Sequence, residues 1–377
     1  MTLHSPEAQA PARSAPAVKR IGILTAGGDC PGLNAVIRAV FKCAVRDYGM
    51  EVVGIADGYA GAIENRMKLL QPSDVSGILP RGGTILGSSN RDDPFRVAVT
   101  VDGKRAYEDQ SDKVLKHLEA QGIEALVAVG GDGTLTIGNK LAQKGLQVVG
   151  VPKTIDNDLD ATDVTFGYDS ARRVATDAVD MLHTTAEAHH RVMIVEVMGR
   201  YAGWIALGSG LAGGADMILL PEIPFDLIRV YSHIMDRAKS GRKFSIIVIG
   251  EGAKPIGGEQ IVHKRIEDST DPLRLGGIGN WLGEHIEEHV RVETRVTVLG
   301  HLQRSGSPTA FDRILGVRFG VSAVDMLARG DFGRMTALRG RDIVAVTLEE
   351  AVKKNRVVEL GDPLLRAARA VGTNFGD

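Results

Sequence analysis

Eight short runs of β-branched and other apolar residues, each closed by glycine, proline or an acid, most restrict the folds open to this chain. They are RIGILT (20–25), EVVGIA (51–56), EALVAVG (124–130), LQVVGVP (146–152), RVMIVEV (191–197), DMILLP (216–221), FSIIVIG (244–250) and TRVTVLG (294–300). Because the runs are nearly continuous rather than alternating, they predict parallel strands buried on both faces. Between them, LNAVIRAVFKCAVRDY (33–48) and SARRVATDAVDMLHTT (170–185) carry apolar residues at helical spacing. Alternating strand and helix defines an α/β chain. A closed barrel would also use eight strands. Functional-looking loops, however, follow strands in two separate halves, 25–160 and 190–305. The expected architecture is therefore two doubly wound, Rossmann-like lobes with mostly parallel sheets and a site in the cleft between them. The turn-rich stretch from Lys254 to Gly283 is expected to be a surface excursion.

Glycine supplies 46 of 377 residues, or 12%, where about 7% is usual. Such an excess suits backbone that turns sharply or approaches a ligand closely. With 45 basic and 47 acidic residues the net charge is −2, so no global basic field points to nucleic acid or a membrane surface, and any anion binding must be local. Two cysteines, Cys30 and Cys43, are too few for a disulfide framework and fit a reducing, cytoplasmic setting. The first 18 residues, MTLHSPEAQAPARSAPAV, read as an unstructured arm without the apolar core of a signal peptide. No uninterrupted apolar run reaches the length of a membrane span.

Two loops echo each other, TAGGDCPG (25–32) and AVGGDGT (128–134), each directly after a strand and before a helix. In open α/β sheets ligands bind outside the carboxyl ends of the strands. There, glycine-rich loops leading into helices present backbone N–H groups to a phosphate, which makes Gly27, Gly28, Gly131 and Gly133 cradle candidates. Asp132 inside such a cradle would repel phosphate unless a cation intervenes, and Mg²⁺ is suited to one carboxylate plus phosphate oxygens. A third loop, PKTIDND (152–158), places Asp156 and Asp158 two residues apart, one able to deprotonate a hydroxyl while the other orients it or holds a metal. Lys153 beside them offers a point charge for phosphate. Arg191, Arg200, Arg295 and Arg304 stand at strand ends or turns, where guanidinium groups can recognise phosphate bidentately.

In order and spacing, TAGGDCPGLNAVIR, RGGTILGSS, VGGDGT, PKTIDND, VEVMGRYAGW and VLGHLQRSGSP resemble the 6-phosphofructokinase family from about Arg20 past Asp312. The resemblance implies transfer of a phosphoryl group to the 1-hydroxyl of fructose 6-phosphate. It implies that Gly28 and the loop Gly131, Asp132, Gly133 and Thr134 hold the donor, with Asp132 on Mg²⁺. It implies that Thr154 and Asp158 position the reacting groups, that Asp156 is the base, and that Met198, Gly199, Arg200, Glu251, His301 and Arg304 contact the sugar phosphate. Arg191 and Arg295 match arginines that reach in from a neighbouring subunit, so a homo-oligomer, a tetramer, is expected. The implied division is a donor lobe over 19–167 with about 302–347, and a sugar-phosphate lobe over 168–301 with about 348–377.

Within that resemblance, Gly133 goes with ATP, whereas Lys153 is common among users of pyrophosphate; the missing side chain is the harder constraint and favours ATP. In GSSNRDD (87–93), Asn90 stands where relatives carry a phosphate-binding arginine. Either Arg91 serves from the next position or the role is weakened. Arg38 and Lys42 sit where bacterial relatives build an effector site. A rival from another class is a non-catalytic subunit sensing sugar phosphate, although such a sensor would be expected to have lost Asp132, Asp156 or the arginines. His285-Ile-Glu-Glu-His289 fits a zinc-peptidase pattern but reads better as a solvated helix, and Gly208 to Gly213, a literal GxGxxG, reads as small-residue packing. Cys30 is expected only to fill a small-residue position.

Overall fold

The computed structural model describes residues 16–101, 103–265 and 273–377. In chain order its first half contains β1 (Arg20–Thr25), α1 (Leu33–Tyr48), β2 (Glu51–Ile55), α2 (Tyr59–Glu64), β3 (Met67–Leu69), β4 (Val97–Val101), β5 (Lys104–Glu108), α3 (Ser111–Ala120), β6 (Ala125–Gly130), α4 (Asp132–Gln143), β7 (Gln147–Thr154) and β8 (Phe166–Gly167). The second half contains α5 (Tyr168–His189), β9 (Val192–Val197), α6 (Trp204–Ala212), β10 (Met217–Leu219), α7 (Leu227–Lys239), β11 (Ser245–Gly250), β12 (Val262–Arg265), β13 (Leu273–Leu275), α8 (Ile278–Val290) and β14 (Thr294–Val298). A short 3₁₀ turn (Gly300–Arg304) leads to α9 (Ala310–Arg329), β15 (Arg334–Arg339), β16 (Asp342–Thr347), α10 (Leu348–Ala351) and α11 (Pro363–Ala370).

The apolar runs become two open sheets, not a barrel. The larger has the order β16-β15-β7-β6-β1-β2-β3, with β8 on β7, and the smaller β10-β11-β9-β14. Strands β2, β1, β6, β7 and β15 pair in parallel, as do all four of the smaller sheet. Every residue of β6, β9 and β11 is buried, as continuous apolar runs require when helices cover both faces. Antiparallel pairing is confined to sheet ends and to two separate hairpins. In the larger sheet the chain passes from β1 to β2 on one side and later to β6 on the other. The ends of β1 and β6 thus flank a switch point, where loops diverge and leave a crevice. In the smaller sheet the ends of β9 and β14 do the same.

Three expectations change. Of the arm expected over 1–18, residues 1–15 lie outside the described residues, but its end is packed: the Ala17 N–H donates to the Ala328 carbonyl at 3.0 Å and Val18 is buried. The helix expected over 170–185 runs from Tyr168 to His189, between Gly167 and His190, both at positive φ. The stretch from Lys254 to Gly283 is not all excursion, because α8 begins at Ile278 and buries Ile278, Leu282 and Ile286.

The two decoys resolve as packing. Gly208 and Gly210 lie in α6, where a Cβ would stand 2.8 Å from Tyr168 Oη and 2.6 Å from Ile218 respectively. His285 and His289 lie on α8 with their rings nearly parallel and 6.3 Å apart. Each Nδ1 bonds the carbonyl four residues earlier. Among the described residues no third His, Cys, Asp or Glu joins them as a metal site.

Candidate active site

The carboxyl ends of both sheets open into one cleft of about 1050 Å³. From the larger sheet come Gly28 after β1, Gly131 to Thr134 after β6, and Lys153, Thr154, Asp156 and Asp158 at the end of β7. The smaller sheet contributes Met198, Arg200 and Tyr201 after β9, Glu251 after β11, and His301 and Arg304 after β14. Fourteen residues singled out in the sequence, with Gly27 beside them, therefore line one space, although they span the chain from Gly27 to Arg304.

Local structure explains how. The β6–α4 junction has no connecting loop, so Asp132 is the first residue of α4 and Gly131 its cap. The unpaired N–H groups of that helix start, and its positive dipole end, face the cleft. Gly28 is required by close approach, since a Cβ there would lie 2.7 Å from Arg304 Nη1. Arg304 Nη1 donates to the Asp29 carbonyl at 2.9 Å, and the Lys153 ammonium donates to the Gly28 carbonyl. Both cations thus hold the first glycine loop, Lys153 from β7 of the same sheet and Arg304 from the turn after β14.

Acids and bases are interleaved here. Burial raises the Asp156 carboxyl above the usual range, opposed by Arg304, Arg200 and Lys153, and its Oδ1 has no hydrogen-bond partner among the described residues. Asp158 is pushed up to about 7, mainly by burial and then by the charge of Asp156, while a Thr154 hydrogen bond opposes the rise. Glu251 is likewise pushed up to about 7 by burial and by Asp156, with Arg200 opposing. Burial lowers Lys153 and raises Asp132. Ionisation of Asp156 thus carries an energetic cost. The raised values mark a site that gains by receiving cationic or proton-donating groups.

Four predicted residues are not in the cleft. Arg91 is exposed outside it and the neighbouring Asn90 lines it instead, in a loop where Ser88 Oγ donates to the Gly27 carbonyl. Gly199, at φ 136°, shapes the turn and does not line the cleft; its carbonyl accepts from the Gly252 N–H at 3.2 Å. Arg191 bonds Glu293 at 2.7 and 2.9 Å, and Arg295 pairs with the same carboxylate. The Cys30 thiol is fully buried and pushed up to about 12 by that burial, so it is no nucleophile.

Tyr59, Asn355 and Tyr201 line the cleft without having been singled out. Tyr59 Oη donates to the Thr134 carbonyl at 2.9 Å and steadies the first turn of α4. A lone tyrosine opening a short helix carries no pattern that would reveal this.

Residues 20–327 match the family described as phosphofructokinase. The chain belongs to the phosphofructokinase family. A Clostridium perfringens protein named ATP-dependent 6-phosphofructokinase 2 is 51% identical over 96% of this chain and 99% of its own length. A Streptomyces coelicolor protein named pyrophosphate–fructose 6-phosphate 1-phosphotransferase is 50% identical over 95% of this chain and all of its own. A solved phosphofructokinase from Pichia pastoris in the T-state superposes with a TM-score of 0.78 at 30% identity, over 91% of this chain and 36% of that longer one. The α/β fold and the phosphotransferase class follow from that membership. The donor does not, since phosphofructokinases named for either donor stand almost equally near.

Proposed function

We propose that this phosphofructokinase transfers the terminal phosphoryl group of ATP to the 1-hydroxyl of fructose 6-phosphate, giving fructose 1,6-bisphosphate and ADP. One observation carries the reading: the α4 cradle and the Asp156–Asp158 loop of one lobe face Arg200, Glu251 and Arg304 of the other across one cleft. The larger-sheet lobe then holds the donor and the smaller-sheet lobe the sugar phosphate.

In the reaction the Asp156 carboxylate accepts the hydroxyl proton as oxygen O1 forms a bond to the terminal phosphorus. The bond from that phosphorus to the bridging oxygen breaks, and its electron pair leaves on ADP. Thr154 and Asp158 orient the groups, and Lys153, Arg200 and Arg304 supply the positive charge that such a transfer needs. Arg304 and His301 suit the 6-phosphate. Among the described residues no three His, Cys, Asp or Glu side chains come together as a metal site. A cation here would draw its remaining ligands from the donor, which fits Mg²⁺ on Asp132 plus phosphate oxygens. When bound it neutralises charge on the phosphates.

Gly133 favours ATP, because it leaves open the space beside the cradle that an aspartate would fill with negative charge. Lys153, the residue that pointed to pyrophosphate, is buried and already committed to the Gly28 carbonyl. It therefore braces the cradle whichever donor is used. Arg191 and Arg295 stand outside the cleft near the edge strand β14. They suit the sugar-phosphate site of an adjoining copy in a homotetramer, and the buried free thiols suit a reducing cytoplasm. A coupled assay with fructose 6-phosphate, Mg²⁺ and either ATP or pyrophosphate tests the proposal. Product with neither donor would favour the sensor reading, and product with pyrophosphate alone would reverse the choice of donor.

A further inference from the structure

After α10 the chain crosses from the larger-sheet lobe to the smaller, and residues 355–358 make the crossing beside the cleft. Asn355 forms a bridge with Leu159, and the Arg356 N–H donates to the carbonyl of Asp158 at 2.8 Å. On the other side the Trp204 indole N–H donates to the Arg356 carbonyl at 3.2 Å. The Arg356 guanidinium lies over that indole, 4.2 Å from the ring centre. Two residues on, the Val358 N–H donates at 2.8 Å to Oε1 of Glu222, and the same oxygen accepts the Gly203 N–H at 2.9 Å. Gly203 closes the turn that carries Arg200. A continuous line of hydrogen bonds thus joins the acid loop of one sheet to the arginine turn of the other.

We infer that residues 355–358 form a brace, pinned by Trp204 and Glu222, that sets the Arg200 turn against the Asp156–Asp158 loop, with Glu222 a positioning residue for phosphoryl transfer. The inference rests on the reaction proposed above. Glu222 suits the task because one oxygen of its half-buried carboxylate ties together two chain segments 155 positions apart, Gly203 and Val358. Removing it leaves two N–H groups without an acceptor. Both are in the line that fixes the spacing between lobes. In-line transfer is sensitive to displacements of about 1 Å, which can cost about 10²-fold in rate.

Kinetics of the full chain and of its Glu222→Ala, Glu222→Gln and Trp204→Phe variants test this. Glu222→Ala should lower kcat by about tenfold or more while the donor KM stays within about twofold. Glu222→Gln keeps an oxygen acceptor and should recover most of the loss, which a requirement for charge would not allow. Trp204→Phe keeps an aromatic ring beside Arg356 while removing the indole donor and some buried ring volume, so it should lower kcat by about threefold or more, and it carries the test should Glu222→Ala not fold. Adding Glu222→Ala to Arg200→Ala should cost little further, because the brace acts through that turn. An unchanged kcat in Trp204→Phe and Glu222→Ala, no recovery in Glu222→Gln, or additive losses with Arg200→Ala would overturn the inference. Hydrogen exchange gives a readout free of activity: amides 355–358 and those of Asp158 and Leu159 should exchange faster in Glu222→Ala and not in Glu222→Gln. Unchanged exchange would also overturn it. A wild type inactive with both donors removes the proposed reaction instead, and exchange alone then decides whether the brace exists.

Discussion

Asp156→Asn separates the chemistry of the cleft from its shape. The amide is nearly isosteric, and the Asp156 N–H can still donate to Thr154 Oγ1 at 3.1 Å, so the loop should keep its path. What is lost is a proton acceptor whose Oδ1 has no hydrogen-bond partner among the described residues and is therefore available to a substrate hydroxyl. A positioned general base contributes about 10²–10⁴-fold. At about 1.4 kcal/mol per factor of ten, that is roughly 3–5.5 kcal/mol of barrier. The charge change acts on binding with the opposite sign. Removing one negative charge from among Lys153, Arg200 and Arg304 leaves those cations freer to attract a dianionic sugar phosphate, so its KM should stay level or fall. Steady-state kinetics across pH provide the assay. The Asp156 carboxyl is raised by burial, and a base must be deprotonated to act, so wild-type kcat/KM should climb as pH rises through a value above the ordinary carboxylate range. That limb should vanish in the variant. A kcat within tenfold of wild type, or a raised KM with kcat intact, would refute the assignment of Asp156 as the base.

Gly133→Asp should cut kcat/KM for ATP by about 10²-fold or more by setting a charge against the donor, while leaving binding of fructose 6-phosphate, followed by calorimetry, within about threefold. Arg91→Ala should change kcat/KM by less than about threefold because the side chain is exposed outside the cleft, whereas Asn90→Ala should cost more. Gly82→Ala would place a Cβ 2.2 Å from the Gly306 carbonyl oxygen, and this overpacking should cost about 1–3 kcal/mol, visible as a Tm lower by several degrees. Asp312, buried and bonded to the Ser170 N–H and hydroxyl, is raised from 3.8 to about 6 by burial. The folded state thus binds that proton more tightly, and the group's contribution is greatest below pH 3.8 and lost as pH climbs through about 6. A shift of this size corresponds to roughly 3 kcal/mol, and Asp312→Asn should flatten the matching fall in Tm between pH 4 and 6.

Legibility in the sequence followed the physical range of each signal. Buried parallel strands leave continuous apolar runs, so all eight expected strands are present, with ends displaced by up to two residues where a loop leaves the sheet, as at Val298. Glycine loops directly after strands are equally local, and the cradle at Gly131 to Thr134 lies where its neighbours in sequence imply. The placement of Arg91 outside the cleft was not legible in its own residue type, since the loop that carries it is tied by Ser88 to the Gly27 carbonyl, 61 positions away. Tyr59, Asn355 and Glu222 left no pattern, since each acts on backbone groups that only the folded topology brings near. Sequence patterns thus announce groups that meet a ligand through their own chemistry, and they pass over groups that hold such residues in place.

Lys153 shows where those two roles meet. As a sequence symbol it was a positive charge beside two acids, readable as a phosphate contact and hence as evidence about the donor. In the fold its ammonium is buried, lowered by that burial, and donates to the Gly28 carbonyl. Lys153 gives one of its ammonium's three N–H donors to that backbone acceptor, a tie within the protein that holds whichever phosphoryl donor is bound. Its presence is therefore explained before any donor binds. Donor choice falls instead to groups that meet the part of ATP absent from pyrophosphate, and of the residues lining the cradle Gly133 is the one whose missing side chain bears on it.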